Sequence, residues 1–223
     1  MDQIIRLGCA GLASSFTTIF GLVMDRSGSM QRFGDAPEKA INDHIVSLQA
    51  DPNAGNAIGF VIAFADDVEL PIPPQPLAGM PRLTGYSPTG SATRLYGTVL
   101  TALKEMLELQ SKAQSKGADT GLILTVFTDG QDNASTEEER VELCELSGQA
   151  LEKGLDLLVV GIGTPGEDIA LKMGFPPKCA VTIEAQAAAI RETMVGVTRR
   201  TCMTMTGMGR SVPATPTPPP SSR

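Results

Sequence analysis

The stretch FTTIFGLVMDRSGSM, residues 16–30, joins an apolar run to a polar loop. Its first part (16–24) is nearly continuous in apolar side chains, as expected for a parallel strand that is covered on both faces. A shorter run, VELPI (68–72), follows an Asp-Asp turn, and its proline favours a hairpin strand at the edge of a sheet. Four further apolar runs resemble the first: AIGFVIAFA (57–65), GLILTVFT (121–128), LDLLVVGIG (155–163) and CAVTIEA (179–185).

Helical patterns separate these runs. Apolar residues recur at helical spacing in residues 36–50 and 93–113. The segment 135–154 opens with Thr136 and Glu139 at the spacing of a capping box. A short helix over 167–174 and a last helix over 187–200 complete the pattern. Because strands and helices alternate, the sequence predicts an α/β fold with a mostly parallel sheet.

The chain divides into a lead (1–15), one domain (16–202) and a tail rich in Pro, Ser and Thr (203–223). The uncharged stretch 7–24 raises the question of a signal peptide or a membrane span. A signal peptide needs a positively charged N-terminal region, but here the negative charge of Asp2 cancels the positive charge of Arg6. Gly, Ser and Thr make the stretch less apolar than a membrane span. We therefore interpret it as a buried strand after a short lead, and the tail as flexible and partly polyproline.

Composition narrows the function classes. The formal net charge is -7, and no dense run of Lys and Arg suggests nucleic-acid or membrane-surface binding. The four cysteines are scattered and form no CxxC pair, which favours reduced thiols in a cytoplasmic protein. A single histidine, His44, excludes a multi-histidine metal site.

The loop after the first run alternates an acid with two hydroxyls: Asp25, Ser27 and Ser29. In open α/β sheets, ligands gather outside the carboxyl ends of the strands. An extended loop would point these three side chains to one place, and oxygen ligands suit Mg²⁺ or Mn²⁺, with Ca²⁺ less favoured. Asp129 follows the run 121–128, and Thr93 begins a helix, so two acids and three hydroxyls form a candidate metal site. Loop caps and turn residues are the structural alternative.

Three motifs in this chain resemble those of von Willebrand factor A (vWA) domains. DRSGSM (25–30) is similar to their D-x-S-x-S motif, SATRLYG (91–97) to their G-G-T-x-L-Y loop, and VFTDGQD (126–132) to their T-D-G-x-D segment. The resemblance covers roughly residues 16 to 200. Ser91-Ala92 stand where small residues, often glycines, precede the threonine in the family. It implies a doubly wound, Rossmann-like, six-stranded sheet in the order 3-2-1-4-5-6, with the hairpin strand antiparallel at one edge. Residues 40–54 and the next strand also resemble stand-alone bacterial members of the tellurite-resistance type.

The resemblance also implies a metal-ion-dependent adhesion site. Ser27, Ser29 and Thr93 would coordinate the ion through hydroxyls, and Asp25 and Asp129 would bind it directly or through water. Neutral hydroxyls leave much of the ion's charge uncompensated, so an open position would attract a Glu or Asp carboxylate of a partner protein. The sequence therefore predicts a protein-interaction module or scaffold, not an enzyme, with no nucleic-acid partner and no membrane span.

Two enzyme classes remain as alternatives. GIGTPG (161–166) matches G-x-G-x-x-G after a strand, as in a dinucleotide-binding oxidoreductase, but Pro165 lies within it and the next helix is short. A metal-dependent phosphotransfer enzyme could use Asp25 as nucleophile and His44 as base. Such enzymes usually need a second acid two residues on, where this chain has Ser27.

Overall fold

A computed structural model describes residues 16–207, which form one layered α/β unit. Within them the strands are β1 (Phe16–Asp25), β2 (Ala57–Phe64), β3 (Val68–Pro76), β4 (Asp119–Thr128), β5 (Leu155–Ile162) and β6 (Ala180–Ile183). The α-helices are α1 (Ala36–Gln49), α2 (Leu95–Gln114), α3 (Glu137–Glu152), α4 (Gly166–Lys172) and α5 (Ala187–Met205). Short 3-10 helices lie at Gly28–Phe33, Ala54–Asn56, Leu77–Gly79 and Pro177–Cys179.

The six strands form one sheet in the order β3-β2-β1-β4-β5-β6. All neighbours are parallel except β3, which pairs antiparallel with β2 at one edge. The predicted doubly wound, Rossmann-like fold with an antiparallel edge strand is therefore confirmed. The prolines of β3 cannot donate hydrogen bonds, which protects this edge from pairing with another strand.

Both faces of the sheet are covered by helices. The apolar side chains of α2, α3 and α4 pack on one face, and those of α1 and α5 pack on the other. β1 contributes to both cores, since Ile19 and Val23 lie in the first and Phe20 and Leu22 in the second. Burial on both sides explains why the strands are continuous apolar runs rather than alternating ones.

A reciprocal Phe–Gly arrangement locks β1 to β2. Phe20 lies opposite Gly59, and Gly21 lies opposite Phe60, in the parallel register of the two strands. A Cβ atom at Gly59 would lie 2.2 Å from the Phe20 ring, and one at Gly21 would lie 2.4 Å from the Phe60 ring. Each ring thus covers the neighbouring glycine, one ring on each face of the sheet.

The predicted lead (1–15) and residues 208–223 of the predicted tail lie outside the described residues. The last helix runs on through residues 203–205, beyond the predicted start of the tail, because Met205 is buried in the core of α1 and α5. Within residues 16–207, no helix has the length and apolar character needed to cross a bilayer.

Candidate metal centre

The predicted site residues lie at the carboxyl edge of the sheet, between its two central strands. β1 ends at Asp25, and Asp129 directly follows the last residue of β4. These strands are hydrogen-bonded neighbours at the point where the strand order reverses. This is the place where open α/β sheets bind ligands.

The first loop departs from the extended form that the alternation suggests. Ser27 has extended backbone angles (φ -60°, ψ 159°), but a 3-10 helix begins at Gly28 and includes Ser29. The two hydroxyl oxygens still meet, 3.0 Å apart, because the tight turn brings Ser29 back over Ser27. The Gly28 N–H donates to Gly90 O at 2.8 Å, and a Cβ on Gly28 would lie 3.2 Å from that oxygen, so Gly28 permits a close approach of two loops.

Asp129 completes a chain of polar contacts across the site. The Ser29 hydroxyl donates to Asp129 Oδ1 at 2.7 Å, and the Arg32 guanidinium donates to Oδ2 at 2.8 Å. The Asp129 side chain is 0% exposed, whereas that of Arg32 is 52% exposed. The structure therefore joins Ser27, Ser29 and Asp129 directly, although the sequence places Asp129 a hundred residues from Ser29.

Thr93 is held against the same site by the loop that carries Asp129. The Thr93 N–H donates to Asn133 Oδ1 at 2.7 Å, and the Asn133 N–H donates to Thr93 O at 3.0 Å. The Thr93 side chain is buried, and its hydroxyl is the atom that a Cβ on Gly130 would approach, at 3.8 Å. These two hydrogen bonds, one to the Asn133 side chain and one from its backbone, hold the second and third motifs together.

Asp25 is a buried carboxylate behind the hydroxyls. It is 0% exposed, and it accepts hydrogen bonds from Thr128 Oγ1 at 2.6 Å and from the Ser27 N–H at 2.8 Å. Burial raises the pKa of Asp25, and the charge of Asp129 adds to this, whereas the hydrogen bonds from Thr128 and Ser27 oppose it. No Lys, Arg or His within residues 16–207 forms an ion pair with Asp25.

Several residues outside the predicted ligand set support the site. Thr128 holds Asp25, Asn133 holds Thr93, and the Tyr86 hydroxyl donates to Asp25 O at 2.5 Å. Burial, together with the charges of Asp25 and Asp129, raises the pKa of Tyr86, which keeps its phenol a neutral donor. Thr128 and Asn133 flank Asp129 closely and were accessible to motif reasoning, but Tyr86 lies in a loop with no sequence signal for this contact.

The donor set fits a hard divalent cation. Among residues 16–207 there is no cluster of three or more His, Cys, Asp and Glu that could hold a metal. The five predicted ligands instead offer two carboxylates and three hydroxyls, all oxygen donors, as Mg²⁺ and Mn²⁺ prefer. Asp25 is also a buried carboxylate that forms no ion pair with a cationic side chain in the part of the chain that the structure describes, and a bound cation would offset its charge.

The glycines of GIGTPG have packing roles. A Cβ on Gly161 would lie 2.2 Å from Thr164 O, and one on Gly166 would lie 2.5 Å from Val181 O. The Gly166 N–H, at the start of α4, already donates to Thr182 Oγ1 at 3.0 Å. Close packing of β5 against α4 and β6 therefore accounts for this motif without a dinucleotide.

His44 lies in the core of α1 and α5, away from the site residues. It is 1% exposed, packs edge-on to Phe20, and contacts Thr198 Oγ1 through Nδ1 at 2.8 Å. Because the Thr198 hydroxyl already donates to Met194 O, His44 Nδ1 must be the donor. Its Nε2 has no hydrogen-bond partner among the described residues, and burial lowers the pKa of His44 to about 3.

This burial predicts that His44 makes the domain less stable in mild acid. The unfolded chain takes up a proton at its usual pKa near 6.5 while the folded chain does not, so stability falls as the pH drops from about 6.5 toward 3. Between pH 7 and 5, this group should cost about 2 kcal/mol of unfolding free energy. Urea unfolding of the wild type and of His44→Asn, which keeps a donor toward Thr198, measures the difference; parallel pH profiles would contradict it.

The strand order, the antiparallel edge and the loops at the switch point define the fold as that of a vWA domain, a Rossmann-like α/β domain. No family model matches the chain, and no curated protein matches it. Solved structures show the likeness instead.

The pilus adhesin SpaC from Lactobacillus rhamnosus GG superposes with a TM-score of 0.60 at 12% identity, over 87% of this chain and 31% of the adhesin. A von Willebrand factor type A protein from Catenulispora acidiphila gives 0.55 at 16% identity, over 83% of this chain and 43% of that one. Proximal thread matrix protein 1 from the mussel byssus was solved with a zinc-occupied metal-ion-dependent adhesion site (MIDAS) motif. It superposes with a TM-score of 0.55 at 16% identity, over 82% of this chain and 47% of the matrix protein. This chain thus spans less than half the length of each, and identities this low show the fold alone.

Proposed function

We propose that this protein is a divalent-metal-dependent protein-interaction module, which binds a Glu or Asp carboxylate of a partner through the metal. The observation that carries the proposal is the buried Asp25 carboxylate, which forms no ion pair with any described residue and lies behind the hydroxyls at the switch point. The adhesin and the byssus matrix protein among the similar folds support a protein partner. The zinc-occupied MIDAS motif of the latter supports a divalent ion.

Each side chain of the site has a distinct part in this proposal. Ser27, Ser29 and Thr93 would hold the ion through neutral oxygens, so that its charge remains available to an anionic oxygen of the partner. Asp25 and Asp129 would supply the negative charge that retains the ion; Asp25 also holds the Ser27 backbone N–H, and Asp129 orients the Ser29 hydroxyl. Thr128 and Tyr86 would keep the Asp25 backbone and carboxylate in place.

The identity of the ion, the absence of an enzymatic activity and the cytoplasmic location are also part of the proposal. The ion is Mg²⁺ or Mn²⁺, and the protein is not an enzyme. Its separate free thiols Cys144, Cys179 and Cys202 suit a cytoplasmic setting. The resemblance of residues 40–54 to stand-alone bacterial proteins of the tellurite-resistance type stays a prediction.

Replacing Ser27 with alanine tests the site directly. We expect Ser27→Ala to weaken Mn²⁺ binding about tenfold or more, because one ligand oxygen is lost and the Ser29 hydroxyl loses its neighbour. Isothermal titration with Mn²⁺ measures the affinity, and a pull-down from source-cell lysate in Mg²⁺ and in EDTA measures partner retention.

Ser111→Ala is the matched control, since Ser111 is exposed on α2. It should leave both measurements unchanged, and the unfolding temperature of Ser27→Ala should stay within a few degrees of the wild type. Equal Mn²⁺ affinity in wild type and Ser27→Ala would refute the proposed site.

A further inference from the structure

Arg32 brings a full positive charge into contact with a predicted metal ligand. Its Nη2 lies 2.8 Å from Asp129 Oδ2, while the other Asp129 oxygen accepts from Ser29. Both oxygens of this carboxylate are therefore engaged within the chain, one by a predicted ligand and one by a cation. None of the three sequence motifs requires a cation at this place.

The position of Arg32 is held by its neighbours but not buried. Arg32 lies in the last turn of the 3-10 helix Gly28–Phe33, and its guanidinium carbon lies 4.8 Å from the centre of the Phe33 ring. Phe33 is buried and so forms a fixed platform for a cation–π contact. Because half of the Arg32 side chain is exposed, Arg32 can turn into solvent without burying its own charge, whereas the Asp129 carboxylate is 0% exposed and then needs another cation.

We propose that Arg32 is an internal counter-cation that competes with the divalent ion for Asp129 and so lowers the metal affinity of the site. This inference rests on the proposed function. A guanidinium at Asp129 offsets the negative charge that would attract the ion, and it repels a second positive charge a few ångströms away. Metal binding through Asp129 therefore requires Arg32 to release Oδ2 or to tolerate the ion beside it.

The competition predicts that removing the charge strengthens metal binding. We expect Arg32→Gln to bind Mn²⁺ about three- to tenfold more tightly than the wild type, since the exchange removes both the ion pair and the repulsion. Arg32→Lys, which keeps the charge, should stay closer to the wild type. Isothermal titration of the full chain with Mn²⁺ at fixed ionic strength measures all three.

Lys116→Gln is the matched control for net charge. Lys116 is exposed just beyond the far end of α2, a helix that begins beside Thr93 and runs about 30 Å away from it. This variant should leave the Mn²⁺ affinity unchanged. An equal gain in Lys116→Gln would mean that net charge, not the Arg32–Asp129 contact, sets the affinity, and would overturn the inference.

The outcomes separate this inference from the proposed function. If the wild type binds Mn²⁺ in a Ser27-dependent way but Arg32→Gln binds equally or more weakly, the role of Arg32 is wrong and the metal site stands. If neither the wild type nor Arg32→Gln binds Mn²⁺, the proposed function fails and the inference fails with it. Binding by Arg32→Gln alone would support the competition in its strongest form.

Discussion

Gly161→Ala is expected to lower the free energy of unfolding by about 3 kcal/mol, because the added methyl group has no space. A Cβ atom there would lie 2.2 Å from Thr164 O and 2.6 Å from Gly166 N, both backbone atoms. Gly161 also pairs with Thr128 of β4 and Thr182 of β6, so neighbouring strands on both sides restrict relaxation. Strand propensity argues the other way, since glycine is unfavourable in a strand.

Urea unfolding of the purified chain, without any nucleotide, measures this effect. Gly55→Ala is the control, because a Cβ there has no heavy atom within 4 Å, and it should change stability by less than about 0.5 kcal/mol. The result also bears on the dinucleotide alternative. If Gly161 served only to admit a cofactor, Gly161→Ala would unfold like the wild type and lose NAD binding instead.

Asp25→Asn is expected to reduce Mn²⁺ affinity about 100-fold while leaving the domain as stable as the wild type, or more stable, in EDTA. The loss follows from removing one of the two carboxylates of the site. The stability follows from burial, which raises the pKa of Asp25 and so disfavours its charged form in the folded protein. Single stabilising substitutions commonly add roughly 0.5 to 2 kcal/mol to the free energy of unfolding, and any gain here should lie in that range.

The local hydrogen bonds can adapt to asparagine. The amide oxygen can accept from the Ser27 N–H as Oδ1 does, and the amide nitrogen can donate to Thr128 Oγ1. The Thr128 hydroxyl can then donate to Gly130 O, which lies 3.2 Å away. No buried polar atom of this group is left unpaired by the exchange.

Mn²⁺ titration and urea unfolding in EDTA provide the two measurements. Glu152→Gln controls for the loss of one negative charge, because Glu152 is exposed at the end of α3. It should alter neither the Mn²⁺ affinity nor the free energy of unfolding in EDTA. If Asp25→Asn were destabilised in EDTA yet still bound Mn²⁺ normally, Asp25 would be a structural loop cap. That outcome would restore the structural interpretation of the opening motif.

Much of the fold follows from local pattern. The continuous apolar runs predict strands buried on both faces, which is confirmed for β1, β2, β4 and β5, and VELPI predicts an edge strand by its proline, which is also confirmed. The prediction is wrong for β6, which is the other edge of the sheet and leaves Val181 and Thr182 exposed. The last helix ends at Met205 rather than at residue 200 as the sequence predicts, since Met205 is buried among residues far from it in sequence. Periodicity identifies an element, but the packing of other elements decides where it ends.

In the candidate site too, local sequence predicts some features and tertiary packing decides the others. Alternation and position after a strand point to Asp25, Ser27, Ser29 and Asp129, because parallel strands share a carboxyl edge. The extended loop predicted for Ser29 is instead a 3-10 turn, and the contact of Tyr86 with Asp25 O has no counterpart in the local sequence. The ordering of a long loop against β1 creates that contact.

The sequence by itself therefore determined the alternation of elements, the apolar strands and the residue types at their carboxyl ends, since these depend on burial and periodicity within short segments. Tertiary structure alone decided that Arg32 meets Asp129 across 97 residues and that Asp25 is buried without an ion pair among residues 16–207. It also decided that Gly161 faces backbone rather than ligand. Such contacts depend on strand order and loop placement, which bring together charges and atoms that no local pattern relates.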